Sequence, residues 1–227
     1  MRISTINNLE ISSICDNKCQ YCPAPTQHEH RKTGLMTMDV FRQTMKWIDF
    51  FVAQGTQTEL NLFGIGEPTL NPHFVEMVKE ARRHLPAYLP LQTNTNGNKM
   101  TDELAGALKI AGIAHVDVTG HNPYTAAKAI KCLKKYGIFG TLSVDFMLTP
   151  NNWAGQVEWF PADYKLWCGW IGRGQVMVMW DGRVTTCCID SRAKGVVGTV
   201  YDEKLNEVML KKWELCDKCH HLIKEEL

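Results

Sequence analysis

Along residues 1–148, short runs rich in β-branched and aromatic residues alternate with segments in which apolar residues return every three or four positions. Alternation of these two periods marks βαβ units and a parallel sheet. The pattern predicts strands near 7–13, 58–63, 88–93, 114–119 and 140–147, separated by helices near 38–54, 71–84, 101–111 and 123–136. Thr37 and Thr101 stand where a side-chain oxygen can cap a first turn, and Gly55, Gly112 and Gly137 stand where helices stop. In the first helix, Val40, Phe41, Met45, Ile48 and Val52 form a stripe expected to face the sheet.

After Pro150 the rhythm lapses, and 151–172 is rich in Trp, Gly and Pro without a clear period. This composition predicts a connector and a boundary near 150, dividing the chain into units 1–150 and 151–227. Next, GQVMVMWDGRVTTCC reads as a hairpin turning at Asp181-Gly182, a pair that tolerates the positive φ of a tight primed turn. A last helix is expected near 203–213, leading into Cys216-x-x-Cys219. The chain carries no internal repeat.

Composition narrows the class of protein. An apolar fraction of 44% and a charged fraction of 22% are ordinary for a globular chain, so folding throughout is expected. Twenty-five Lys and Arg against 24 Asp and Glu give no basic excess that would favour nucleic acid or an anionic membrane. The opening MRISTINNLE lacks the apolar core of a signal peptide, and no apolar run reaches about eighteen residues, so a cytoplasmic, membrane-free location is expected. Nine clustered cysteines in a reducing compartment point to metal binding or redox chemistry rather than to disulfides.

Three of the nine, Cys15, Cys19 and Cys22, follow the first strand in the spacing C-x3-C-x2-C. That places them in a loop at the carboxyl end of a parallel sheet, where α/β folds hold ligands. Thiolates suit zinc or iron-sulfur clusters, and a cubane held by three of them keeps one iron open to an exchangeable ligand. A zinc ion completed by His28 or His30 is the competing assignment. With Tyr21 the run reads C-x3-C-x-aromatic-C and resembles the signature of the radical S-adenosylmethionine (SAM) superfamily.

The resemblance implies a partial (β/α) TIM-type barrel of about five or six parallel strands, with a small C-terminal hairpin and helix module. It also implies a 4Fe-4S cluster on Cys15, Cys19 and Cys22 whose open iron binds SAM. FGIGEPTLNP at 63–72 is similar to the family's Gly-Gly-Glu-Pro turn, matching at Gly66-Glu67-Pro68, with Ile65 in place of the first glycine. QTNTNG at 92–97 and VDVTGH at 116–121 resemble later strand ends that contact SAM. The resemblance therefore carries Tyr21, Gly66, Glu67, Asn96 and Thr119 to SAM. His121, beside these, is a candidate acid or base toward substrate on its own chemistry, although a lone loop histidine is more often a surface residue. Short polar residues at strand ends are also ordinary turn formers.

Cys168, Cys187, Cys188, Cys216 and Cys219 surround or follow the hairpin. DGRVTTCCID, GTVYDEKLNEVM and LCDKC resemble the Twitch or SPASM extension of the same superfamily. That resemblance implies an auxiliary 4Fe-4S cluster on Cys168, Cys187, Cys216 and Cys219. Cys188 is left as an alternative ligand, a substrate-facing thiol or a buried apolar residue, and a zinc ribbon is the competing assignment for the group. Cys132 is expected to be incidental.

The compact organisation resembles the amino-sugar dehydrogenases of aminoglycoside biosynthesis. The expected chemistry is hydrogen abstraction by a 5′-deoxyadenosyl radical, oxidation of a small molecule, and an auxiliary cluster accepting the electron. A low-potential donor of flavodoxin or ferredoxin type is then required, with His121, His28 and His30 as candidate bases. Two other substrate classes stay open: a nucleotide, as in radical isomerisation or carbon-carbon bond formation on amino-acid-modified thymidine in phage DNA, and a peptide undergoing maturation. The short segment before Cys15 counts against a peptide-binding domain of the usual kind, and the absent basic excess gives nucleic acid no support. A non-catalytic zinc module is the alternative outside enzymology.

Overall fold

The computed structural model describes residues 1–143, 153, 156 and 168–219. Five strands, β1 (Thr5–Leu9), β2 (Leu60–Asn61), β3 (Leu91–Thr95), β4 (His115–Thr119) and β5 (Phe139–Ser143), alternate with four helices. The helices are α1 (Met38–Ala53), α2 (Phe74–His84), α3 (Asp102–Ala111) and α4 (Pro123–Lys135). A short helix α5 (Gly169–Gly172) precedes β6 (Gln175–Val178), β7 (Arg183–Thr185) and β8 (Val196–Thr199). The sheet runs β5-β4-β3-β2-β1-β6-β7-β8. Every pairing from β5 to β6 is parallel, and the two beyond are antiparallel.

The expected caps are in place. Thr37 accepts from the Val40 amide and Thr101 from the Leu104 amide, while Gly112 ends α3 in the left-handed region at φ 93°, a conformation that a side chain would strain. The α1 stripe is rotated from its expected position: Phe41, Thr44, Met45, Ile48 and Phe51 are buried, and Val40 and Val52 only half-buried. Thr44 can face the core because its hydroxyl donates back to the Val40 carbonyl at 2.8 Å.

Two sequence expectations are corrected, and a third is met as far as the described residues reach. The hairpin turn has positive φ only at Gly182, with the Gly182 amide donating to the Met179 carbonyl at 2.9 Å; a turn followed by one left-handed glycine replaces the primed two-residue turn. The helix expected near 203–213 is a 3-10 turn, Leu205–Glu207, followed by extended backbone. There Val208 accepts from the Ile3 amide, the Leu210 amide donates to Met1, and Met209 bridges Arg2, so pairing with the chain's first residues overrides local helical preference. The strand expected at 140–147 is β5 as far as Ser143, and its remainder, like most of the 151–172 connector, lies outside the described residues.

The hairpin does not stand apart from the first five strands, because β6 lies parallel to β1. Val176, Val178, Val184, Val200 and Leu205 join one apolar core with Phe41, Met45 and Ile48 of α1. Ile189, Cys216 and Cys219 form a smaller cluster of their own. Among the described residues no helix is long and apolar enough to cross a membrane.

One buried ion pair closes the base of the cysteine loop. Arg31 grips Glu10 through two bonds of 2.6 and 2.7 Å, with side-chain exposures of 2% and 0%, and also donates to Gln27 at 2.6 Å. Gln27 in turn donates to the Ser13 carbonyl, and Glu10 accepts from the Ile65 amide at 3.3 Å. Removing one partner strands the other charge in the interior, which typically costs about 3–5 kcal/mol, whereas a fully apolar pair can be neutral. Arg31→Leu is therefore expected to lower unfolding free energy in urea by about 3–5 kcal/mol, and Glu10→Met with Arg31→Leu to recover much of that loss.

Candidate functional sites

Strand ends converge on a cavity of about 180 Å³. Its wall contains Cys15, Cys19, Tyr21 and Cys22 from the loop after β1, Gly66 and Glu67 from the turn after β2, Asn96 after β3, and Thr119 with His121 at the end of β4. The structure thus brings all the residues expected to surround the first cofactor to one place. Cys19 Sγ lies 3.6 Å from His121 Nδ1, which also contacts the Tyr21 hydroxyl, and the Ala24 amide points to Cys22 Sγ at 3.5 Å. His28 and His30 are exposed in and just after the 3-10 turn Gln27–Glu29 and lie outside the cavity wall.

The turn after β2 is shaped by close approach. A Cβ on Gly66 would sit 2.5 Å from the Ser12 carbonyl oxygen and 2.6 Å from that of Ile14, so only glycine lets this turn lie against the cysteine loop. Gly64 packs similarly on the Glu10 side chain, at 2.5 Å. Glu67, 2% exposed, accepts from the Thr69 amide at 3.1 Å, the Thr69 hydroxyl at 2.6 Å, the Thr95 hydroxyl at 2.7 Å and the Asn96 amide at 2.7 Å. Burial pushes its carboxyl above the usual carboxylate range against those hydrogen bonds. Asn96 donates its side-chain amide to Asp16 at 2.6 Å and approaches Cys15 Sγ at 3.9 Å, latching the loop to β3.

Five cysteines line a second cavity of about 250 Å³: Cys168, Cys187, Cys188, Cys216 and Cys219. Asp190, fully buried, shapes the turn after Cys188 by accepting from the Thr185 hydroxyl and the Lys194 and Gly195 amides. The neighbouring Cys188 and burial together push the Cys187 thiol well up. Trp153 connects the two cavities: it lines the first, donates its indole N–H to the Tyr21 carbonyl at 2.9 Å, and packs against the Ile189, Cys216 and Cys219 cluster. Gln156 ties the Trp153 carbonyl to that of Ile189, donating to each at 2.7 Å.

Both donor sets fit iron-sulfur clusters. Among the described residues no group of three or more His, Cys, Asp and Glu side chains closes on a single ion; the thiols stand around cavities instead. Burial raises the Cys15, Cys19 and Cys22 thiols, Cys22 to about 12, and neighbouring negative groups add to the rise at Cys15 and Cys22, an environment in which thiolates need bound cations. On two residues that line the second cavity, Thr186 Oγ1 and Trp213 Nε1 are buried without a hydrogen-bond partner, a condition that costs about 1–3 kcal/mol for each such group unless an acceptor arrives.

The model of the radical SAM superfamily matches residues 9–153, and that of SPASM, an iron-sulfur cluster-binding domain, matches 168–220. The chain belongs to the radical SAM superfamily, and the two domains imply a SAM-binding 4Fe-4S cluster and an auxiliary cluster. Over 108 residues it is 34% identical to the tungsten-containing aldehyde ferredoxin oxidoreductase cofactor-modifying protein of Pyrococcus furiosus (strain ATCC 43587 / DSM 3638 / JCM 8422 / Vc1), covering 46% of this chain and 27% of that protein. It thus spans about a quarter of that curated relative's length. The crystal structure of BtrN in complex with AdoMet and 2-DOIA superposes with a TM-score of 0.70 at 21% identity, over 91% of this chain and 85% of that one. Selenomethionine BtrN in an open conformation gives 0.63 at 19%, over 96% and 92%. These two share the partial-barrel fold.

Sequence reasoning missed Asn17, Phe63, Asn94, Thr95 and Trp153 in the first wall, and Asp190, Thr186 and Trp213 around the second. Asn94 and Thr95 lie inside the QTNTNG segment already singled out, whereas Trp153 sits in a stretch without periodicity. Gly66→Ala is expected to push the turn off the cysteine loop, costing about 1–3 kcal/mol and lowering iron bound by Cys15, Cys19 and Cys22 while sparing the second site. Iron analysis beside the wild type checks this. In metal-free protein, Cys22 should alkylate at pH 8 some tens of times more slowly than an ordinary cysteine, roughly the thousandfold loss of thiolate offset in part by the greater nucleophilicity of a high-pKa thiolate, and should accelerate with pH because only the thiolate reacts. Mass spectrometry of iodoacetamide-treated protein reads that rate.

Proposed function

We propose that this chain is a radical SAM enzyme that oxidises a small molecule by hydrogen abstraction, with the second cluster as electron acceptor. The observation carrying the proposal is the convergence of Cys15, Cys19 and Cys22 with Tyr21, Gly66, Glu67, Asn96 and Thr119 on one cavity, beside a second lined by five thiols. When bound, the first cluster and SAM together supply a 5′-deoxyadenosyl radical.

The protein's part is to hold, shield and aim. Cys15, Cys19 and Cys22 are the ligands of the first cluster, and Cys168, Cys187, Cys216 and Cys219 those of the second. Glu67 shapes the SAM-binding wall more than it offers a free carboxylate, since its oxygens already accept four hydrogen bonds. Gly66 presents bare backbone, and Thr119 and Asn96 supply short polar groups at the strand ends. His121, in the same wall, is the candidate for moving a substrate proton. A low-potential donor of flavodoxin or ferredoxin type supplies the electron for each cycle.

A second reading, modification of a cofactor, draws on the 34% identity over 108 residues to a cofactor-modifying protein. The substrate that suppresses uncoupled SAM cleavage discriminates between the two.

Anaerobically reconstituted wild type should carry about eight irons per chain, and the Cys15→Ala, Cys19→Ala, Cys22→Ala variant about four. With SAM and dithionite the wild type should release 5′-deoxyadenosine and the variant none. A colourless zinc-loaded protein, or a fully loaded one that leaves SAM intact, would overturn the proposal.

A further inference from the structure

Among the described residues, four buried side-chain nitrogen or oxygen atoms lack a hydrogen-bond partner: Arg31 Nε, Arg82 Nε, Thr186 Oγ1 and Trp213 Nε1. Two of them, on Thr186 and Trp213, belong to residues in the wall of the five-cysteine cavity. Both groups can donate, and the indole N–H can do nothing else. Sulfur is the acceptor chemistry that the rest of this wall assembles.

Neither donor is free to look elsewhere. The Thr186 amide donates to the Gly195 carbonyl at 3.2 Å, which registers its side chain beside Cys187. The Trp213 ring lies over the same glycine: a Cβ on Gly195 would fall 2.5 Å from Cζ2 and 3.0 Å from Nε1. Gly195 is itself anchored, its amide donating to buried Asp190 at 2.7 Å. One turn thus holds both residues in a thiol-lined wall.

We infer that the Thr186 hydroxyl and the Trp213 indole N–H donate hydrogen bonds to sulfur atoms of the auxiliary cluster and raise its reduction potential. The inference rests on the proposal that this cavity holds that cluster. Reduction adds negative charge to the cluster sulfurs, so a fixed donor stabilises the reduced form more than the oxidised one. Both residues act on the cluster directly by hydrogen bonding, and no thiol ligand is replaced. A higher potential suits a site that must take an electron from a substrate radical.

The test uses the chain carrying Cys15→Ala, Cys19→Ala and Cys22→Ala, so that the auxiliary cluster alone is titrated. After anaerobic reconstitution, iron is counted and the reduced cluster is followed by electron paramagnetic resonance against solution potential. Thr186→Val and Trp213→Phe should each keep about four irons and shift the midpoint downward. A tenfold smaller reduced-to-oxidised ratio at fixed poise corresponds to about 59 mV for a one-electron couple. Thr186→Ser, which keeps the hydroxyl, should titrate like its parent.

Unchanged midpoints in fully loaded Thr186→Val and Trp213→Phe would overturn the inference while leaving the cluster assignment standing. A parent that takes up no cluster would overturn the assignment, and the inference with it. If Trp213→Phe loses its iron, the Thr186→Val and Thr186→Ser pair decides the matter, because a purely structural role moves cluster content and not the midpoint.

Discussion

The Glu67 carboxylate, buried behind the cysteine loop, accepts hydrogen bonds from its own turn and from Thr95 and Asn96 at the end of β3, while its backbone amide donates to Ile14. Three stretches of chain distant in sequence are thereby held at fixed separations around one cavity. Asn96 extends the constraint by gripping Asp16, next to Cys15. A buried carboxylate is tolerable only where donors compensate for lost hydration, and the strand ends supply them. The first site therefore depends on a group whose charge is consumed by architecture.

This explains why the Gly-Glu pair was legible and its role was not. Glycine beside glutamate after a strand is a readable signal; that the glycine faces the Ser12 and Ile14 carbonyls, and the glutamate faces β3, is long-range geometry. The Glu10–Arg31 pair is similar. Glu10 reads as a polar residue ending an apolar strand, and Arg31 as one charge in HEHRK, and nothing local joins them.

The helices were legible because caps, glycine stops and apolar spacing are local, and their bounds follow those signals within a few residues. Where the outcome depended on a distant partner, local reading failed. Residues 208–210 became extended because the first three residues of the chain pair with them, and β6 joined the parallel sheet because β1 had a free edge. The cysteines were the most legible part of the site, since spacing groups Cys15, Cys19 and Cys22 and the resemblance to a cluster-binding extension groups the later ones; the orphaned donors Thr186 and Trp213 could be found only once packing showed which polar atoms lacked partners.

The two cavities are not independent. Trp153 donates to the backbone of the cysteine loop at Tyr21 and lies against the apolar cluster containing Cys216 and Cys219, while Gln156 carries the same segment to Ile189 and Ser191. The second cysteine group and Tyr21, which precedes Cys22, are thereby joined through one packed side chain. Trp153 and Gln156 thus touch both walls, so a substitution at either position bears on both. A chain with two redox centres needs the distance between them held, and an indole fixed at its N–H and packed across its face is suited to that, having few degrees of freedom.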